Sequence, residues 1–284
     1  MKSSTNHFRN FIRASCPGII QTISSLRQQL RCRRLFFKFQ KEFRAEAYGS
    51  QPIVVLSGPL KGLAYYNKSV WGLITSKWIG SYEEELHSVL SKIIRNNYRR
   101  IIDVGAAEGY YAVGLAKMCP LSAVLAFDID PVARLRMRQL RDLNSISNLK
   151  IGSYCTDKLL ADSIVPQLSV LICDIEGYEY RLLDIEKVSK LASTDVLVEI
   201  HGFEELSSDC VKQTIKARFA NTHRIQEFQV TDRDPRNYLK AISNLENIHL
   251  SDLAKAMEEH RFKSQEWLWM EARGGLASKE SETS

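Results

Sequence analysis

Residues 103–116 read DVGAAEGYYAVGLA. Asp103 ends an apolar run, Gly105 and Gly109 flank a tight turn, and a helical pattern begins near Tyr110. Glycine lets a backbone turn sharply and approach a ligand, and a helix N-terminus offers free N–H groups. The two glycines are not spaced as in the G-x-G-x-x-G of dinucleotide binders. Ala107 stands where their middle glycine would admit a pyrophosphate. Asp103 would repel a diphosphate and suits a ligand bearing a cation or an amine. The next apolar run ends in AFDID, and its Asp128 is placed to reach ribose hydroxyls from the second strand tip.

Outward from this turn the chain is strongly periodic. Strand-like runs cover 101–104, 123–128, 149–154, 169–174 and 195–200. A helix opening at Ser81, with acids in its first turn, is expected before them, and helical patterns fill 110–118, 132–143, 156–164 and 178–192 between and after them. Apolar strands alternating with amphipathic helices predict a doubly wound, mostly parallel α/β sheet of the Rossmann-like kind. Beyond 201 the sequence predicts a helix at 208–220, a strand at 224–230, a helix at 251–260 and a last strand, EWLWMEA. An acid at the first strand tip, a glycine turn and an acid at the second tip describe an S-adenosylmethionine (SAM) site.

The fourth strand ends in CDIEGYE and the fifth in VEIH, placing Asp174, Glu176, Glu179, Glu199 and His201 at the edge where doubly wound sheets bind ligands. His201 and Asp174 are the catalytic candidates, since either could take a proton from an acceptor hydroxyl. Glu176 and Glu179 also suit a helix N-terminus, where acids complement the dipole. Asp174, Glu176, Glu199 and His201 could collect Mg²⁺ or Mn²⁺, with Glu199 and His201 on one face of their strand. Their spacing matches no recognised metal motif, and no metal is expected.

DVGAAEGYYAVGLA, AFDIDP, CDIEGYEYRLLD and VLVEIH together resemble the class I SAM-dependent methyltransferases, and within them the FkbM-like family. The resemblance covers about residues 80–230, and its most specific part is the D-x-E-G-x-E segment at Asp174–Glu179. It implies a seven-stranded sheet with the last strand antiparallel, and methyl transfer to a hydroxyl of a sugar, glycolipid or polyketide-like molecule. It also implies cofactor contacts from Asp103, Gly105, Ala107, Glu108, Gly109 and Tyr110. Asp128, Ile129 and Asp130 follow at the second strand tip, with Asp128 or Asp130 on the ribose. Cys155 and Thr156 lie near the adenine, and Asp174 lies beside the transferring methyl. Methylation of a nitrogen on protein or nucleic acid, and a non-catalytic SAM-fold protein, are the alternatives. DIEGYE stands where nucleic-acid N-methyltransferases often carry an Asn/Asp-Pro-Pro-aromatic run, so no nucleic-acid partner is expected.

Acceptor specificity is expected from an aromatic, basic rim over 51–82 and 231–240. Tyr65, Tyr66, Trp71, Trp78, Tyr82, Arg233, Arg236 and Tyr238 could form it, and the substrate-binding candidates are Tyr82, Arg236 and Tyr238 from this rim with Glu176 from the fourth strand end. The division expected is a basic helical arm (1–47), a β-hairpin-like lead-in (48–80), the methyltransferase domain (81–273) and a disordered tail (274–284).

The whole chain of 284 residues carries a net charge of +6. Residues 1–45 hold ten Lys or Arg and one acid, Glu42, which leaves 29 basic against 32 acidic residues in the rest. The basicity therefore belongs to the arm, and it says little about nucleic acid binding by the body. Apolar residues from Ile19 to Phe43 recur at helical spacing. Residues 17–45 are thus expected as a helix packed on the body or on a second subunit, or lying on a membrane surface, and the acid-free first 41 residues also resemble a transit peptide. The six cysteines form no CxxC pair and suit a reducing, cytoplasmic compartment.

Overall fold

The computed structural model describes residues 38–67, 74–239, 248–259 and 265–274. The expectations for 1–37, Trp71, the 240–247 loop and the 275–284 tail lie outside the described residues. The chain divides into two compact units, Met1–Ser50 and Gln51–Ser284. In the first, residues 38–48 are helical, with Phe39 and Phe43 ring centroids 6.1 Å apart.

The second unit is built on strands β1 (Arg100–Val104), β2 (Ala123–Phe127), β3 (Leu149–Gly152), β4 (Ser169–Cys173), β5 (Asp195–Ile200), β6 (His223–Gln229) and β7 (Glu266–Ala272). Their order is β3-β2-β1-β4-β5-β7-β6. β1 to β5 pair in parallel, while β7 runs antiparallel to both β5 and β6. This is the expected seven-stranded sheet with its last strand reversed. Every residue of β4 and β5 is buried, which explains their continuous apolar runs. Burying each large aliphatic side chain there contributes about 1.5–3 kcal/mol.

The helices are α1 (Ile74–Ile79), α2 (His87–Asn96), α3 (Tyr110–Met118), α4 (Pro131–Leu143), α5 (Asp157–Ser163), α6 (Glu179–Leu182), α7 (Ser208–Phe219) and α8 (Leu250–Met257). Four expectations need correction. The helix predicted to open at Ser81 starts only at His87, after a 3-10 turn at Glu84–Leu86. Glu83 stands before that turn in the left-handed region and is buried, so it is no exposed first-turn acid. The helix predicted over 178–192 stops at Leu182. Neighbouring Leu182 and Leu183 are both buried, and Asp184 accepts the Glu186 N–H at 3.0 Å, closing a turn. In 51–67 the backbones of Val55 and Leu63, and of Tyr65 and Ile53, bond across a turn at Gly58 and Gly62. Residues 74–79, expected as strand, form α1 instead, with all six residues buried. No described helix is long and apolar enough to cross a membrane.

Candidate functional site

Asp103 is paired in register with Ala126 of β2 and Ile172 of β4, and it is 3% exposed. Its Oδ2 is buried with no hydrogen-bond partner among the described residues. Burial first, then the charge of Asp128, pushes its carboxyl up to about 7, although the Ala112 N–H offsets part of this. Gly105 follows at φ +87°, and a Cβ there would lie 1.6 Å from the Asp174 carbonyl oxygen. Only glycine lets the tips of β1 and β4 meet this closely.

The Gly105 and Ala106 N–H groups both donate to the Phe127 carbonyl, at 2.9 and 3.0 Å. Asp128 clasps the turn from the other side. Its Oδ2 accepts the Ala107 N–H and its Oδ1 the Asp130 N–H, both at 2.8 Å. Asp130 caps α4 by accepting the Val132 N–H at 2.7 Å. Both ribose candidates thus carry structural hydrogen bonds, Asp128 to the glycine turn and Asp130 to the start of α4. Between them Ile129 is 76% exposed. Arg134 donates to the Asp128 and Ile129 carbonyls at 2.8 Å and holds this loop.

Two expected cofactor contacts turn inward. The Glu108 side chain is fully buried, paired with Lys77 and accepting the Tyr65 hydroxyl at 3.0 Å. Burial alone would raise its carboxyl, but the Lys77 charge and hydrogen bond hold it below the usual range. Lys77 also sits 4.7 Å above the Tyr82 ring centroid. Tyr110 packs edge-on against Tyr65 and Tyr82, at 5.8 and 5.4 Å. These side chains lock the lead-in onto the glycine turn. Lys77 was not foreseen, and a lone lysine inside the apolar run WGLITSKWIG was the available signal. Cys155 is buried, its thiol pushed up to about 12 by burial and then by Asp157. The Thr156 hydroxyl caps α5 by accepting the Leu159 N–H at 3.1 Å.

The ends of β4 and β5 converge. Glu176 lies in the left-handed region at φ 54°, and Gly177 at φ 112° packs its backbone on the next loop. A Cβ on Gly177 would stand 2.4 Å from the Gly202 carbonyl oxygen. Glu179, also completely buried, accepts the Ile175 and Gly177 N–H groups at 2.8 Å each. Its Oε1 is 3.1 Å from His201 Nδ1. That contact turns His201 Nε2 toward Glu176 at 3.6 Å, Glu199 at 3.8 Å and Asp174 at 4.0 Å. Glu179 is the residue the sequence left between two roles, and here it positions His201. Burial lowers the His201 affinity for a proton, but Glu179, Glu199 and Glu176 together raise it above the usual histidine value. Burial, then Glu83, Glu176 and Glu179, push the Asp174 carboxyl up to about 8.

The expected acceptor rim is largely overturned. Tyr65, Trp78 and Tyr238 are buried. Arg233, its side chain 9% exposed, is held in ion pairs with Glu85 and Glu259, at 3.2 and 2.9 Å. Arg236 is exposed and is held by Asp234 at 2.7 Å. Tyr82 packs on Tyr110, and only Glu176 stands beside the catalytic candidates. The exposed aromatic residues near the strand ends are instead Tyr154, 51% exposed, and Tyr178, 43% exposed, with hydroxyls 3.4 Å apart. Tyr178 meets Phe203 edge-on at 6.3 Å. Single tyrosines scattered through loops gave no periodic signal.

No family model and no curated protein matches the chain. Among solved structures it is similar to the O-methyltransferase TomG from Streptomyces achromogenes, in complex with SAM. That likeness has 9% identity and a TM-score of 0.46, covering 68% of this chain and 81% of that one. An rRNA methylase from Streptococcus thermophilus shares 13% identity at a TM-score of 0.43, covering 66% and 96%. A ribosomal protein L11 methylase from Lactobacillus delbrueckii subsp. bulgaricus shares 16% at 0.38, covering 66% and 80%. Likenesses this remote say nothing of what this chain binds or acts on.

Proposed function

We propose that this chain is a SAM-dependent methyltransferase of the FkbM-like kind, acting on a hydroxyl of a sugar, glycolipid or polyketide-like molecule. The observation that carries the cofactor is Asp103, a buried carboxylate with an unpartnered oxygen at the tip of β1, facing the charge of Asp128. Such an atom wants a cationic partner. A ligand bearing both an ammonium and a sulfonium supplies one, while a diphosphate would not.

In this reading Asp103 and the turn from Gly105 to Gly109 hold the methionine end. Asp128 faces the ribose, and exposed Ile129 lies against the adenine with Tyr154 nearby. SAM brings a methyl group already activated on sulfur, so the protein's work is positioning. Asp174 and His201 hold the acceptor at the ends of β4 and β5 and receive its proton, a contribution of roughly 10²–10⁴ in rate. Glu179 fixes the His201 ring for this.

The environment of Asp174, with carboxylates at Glu83, Glu176 and Glu179, also favours an amine acceptor that binds as its ammonium and gives a proton to His201 before its nitrogen attacks the methyl. N-methyl transfer is therefore the second reading. Radiolabelled methyl transfer from SAM into a cell extract, followed by fractionation, tests both. Label in glycan, lipid or small-molecule hydroxyls supports the first reading, and label on amines the second. No transfer into any fraction argues against catalysis. His201→Ala is expected to lower turnover while SAM affinity stays within about twofold. Lost SAM binding with unchanged turnover per bound cofactor would contradict the role given to His201.

A further inference from the structure

We propose that the ends of β4 and β5 form a divalent-cation site, with His201 Nε2, Asp174, Glu199 and Glu176 as its ligands. Asp174, Glu179 and His201 offer donor atoms within 4.8 Å of one another. Glu179 is not itself a ligand, since its two oxygens already accept two backbone N–H groups and face His201 Nδ1. Its role is the one that buried carboxylates play behind metal-bound histidines, fixing the tautomer and aiming the other nitrogen.

His201 Nε2 thereby faces three carboxylate oxygens at 3.6, 3.8 and 4.0 Å. These distances are too long for hydrogen bonds. They are close to the ~3–3.5 Å that separates neighbouring ligands on an ion with bonds of about 2.1 Å. A second, independent observation points the same way. Asp174 Oδ1, the oxygen 4.0 Å from His201 Nε2, is itself inaccessible and accepts no hydrogen bond among the described residues, although its side chain as a whole is 37% exposed. A buried unsatisfied carboxylate oxygen calls for a water or an ion.

The donor set chooses among ions. One imidazole with three carboxylates suits Mn²⁺ or Fe²⁺ better than Ca²⁺, which takes oxygen ligands alone. Cation and proton exclude each other at Nε2. In the loaded protein His201 is therefore a ligand and takes no proton, so the proton-accepting role given to it above belongs to the metal-free chain. Cation binding is read on the protein alone, so it stands or falls separately from methyl transfer.

The test uses the full-length protein, stripped with EDTA and titrated with MnCl₂ while free Mn²⁺ is followed by electron paramagnetic resonance. One Mn²⁺ per chain is expected. His201→Ala should weaken binding at least tenfold, and Glu179→Gln by about 10–100-fold, the usual effect of losing an outer-shell partner. Glu176→Gln changes a side chain that is 87% exposed, so the fold is expected to survive, and binding should weaken severalfold. If His201→Ala does not fold, Glu176→Gln decides. Absence of saturable Mn²⁺ binding, or an affinity unchanged in the folded variants, would overturn the site.

Discussion

Asp103 illustrates how a residue proposed to bind a ligand is kept at the expense of the fold. Its carboxyl titrates near 7 in the folded chain against the ordinary 3.8. Between those values the folded state keeps a proton that the unfolded state releases, so stability falls as pH rises from about 4 to 7. Above pH 7 the ionised group remains as a constant penalty. Asp103→Asn should thus raise the melting temperature of the ligand-free protein at pH 8 by several degrees. The same change should abolish SAM affinity, which in the native chain should rise as pH passes through 7. Calorimetry and thermal melts across pH 5.5–8.5 check both. An affinity independent of pH would contradict this assignment.

Lys77 and Glu108 form a different kind of residue pair, buried and joined. Lys77→Met leaves the Glu108 charge in the interior and should destabilise the protein by about 3–5 kcal/mol. Adding Glu108→Leu should recover most of that loss in a denaturant titration. Equal instability of the single and double variants would show that the pair does more than neutralise itself. The sequence placed Glu108 correctly on the turn but aimed it at the cofactor. The error arose because its partner comes 31 positions earlier, on α1, and spacing rules do not see such contacts.

At the scale of elements, the turn between β4 and α6 sets the geometry of the site. Gly177 lies close against the Gly202 backbone, and this brings His201 to Asp174. Gly177→Ala should cost about 2–4 kcal/mol, from both the left-handed backbone and the contact. It should also misplace the His201 ring, visible as lost Mn²⁺ affinity in the fraction that folds. Wild-type stability and affinity would refute this account of the turn. The strands were legible because each is a buried run of β-branched and apolar residues. The 178–192 helix was misread because helical periodicity there coexists with buried neighbours, Leu182 and Leu183, that no single helix face accommodates. The late start of α2 has a similar cause, since Glu83, Glu84 and Glu85 resemble first-turn acids until the fold buries Glu83 and pairs Glu85 with Arg233.

At the scale of the whole molecule, the mostly parallel sheet was legible in the alternation of strands and helices and the reversed last strand was implied by the resemblance, whereas the order β3-β2-β1-β4-β5-β7-β6 comes from the structure. The positions of Asp103, Asp128, Asp174 and His201 at strand ends could be anticipated too. What surrounds an acceptor could not, because the rim depends on which loop aromatics the fold leaves exposed. Tyr154 and Tyr178 stay out while Tyr65, Trp78 and Tyr238 go in. The net charge of +6 gave no guide to the site, whose character is acidic. Isothermal titration of the full-length chain with SAM and S-adenosylhomocysteine tests the proposed binding of SAM by the turn after β1. One site per chain for each ligand, lost in Asp103→Asn, is the predicted result. A native, folded chain that binds neither would contradict it.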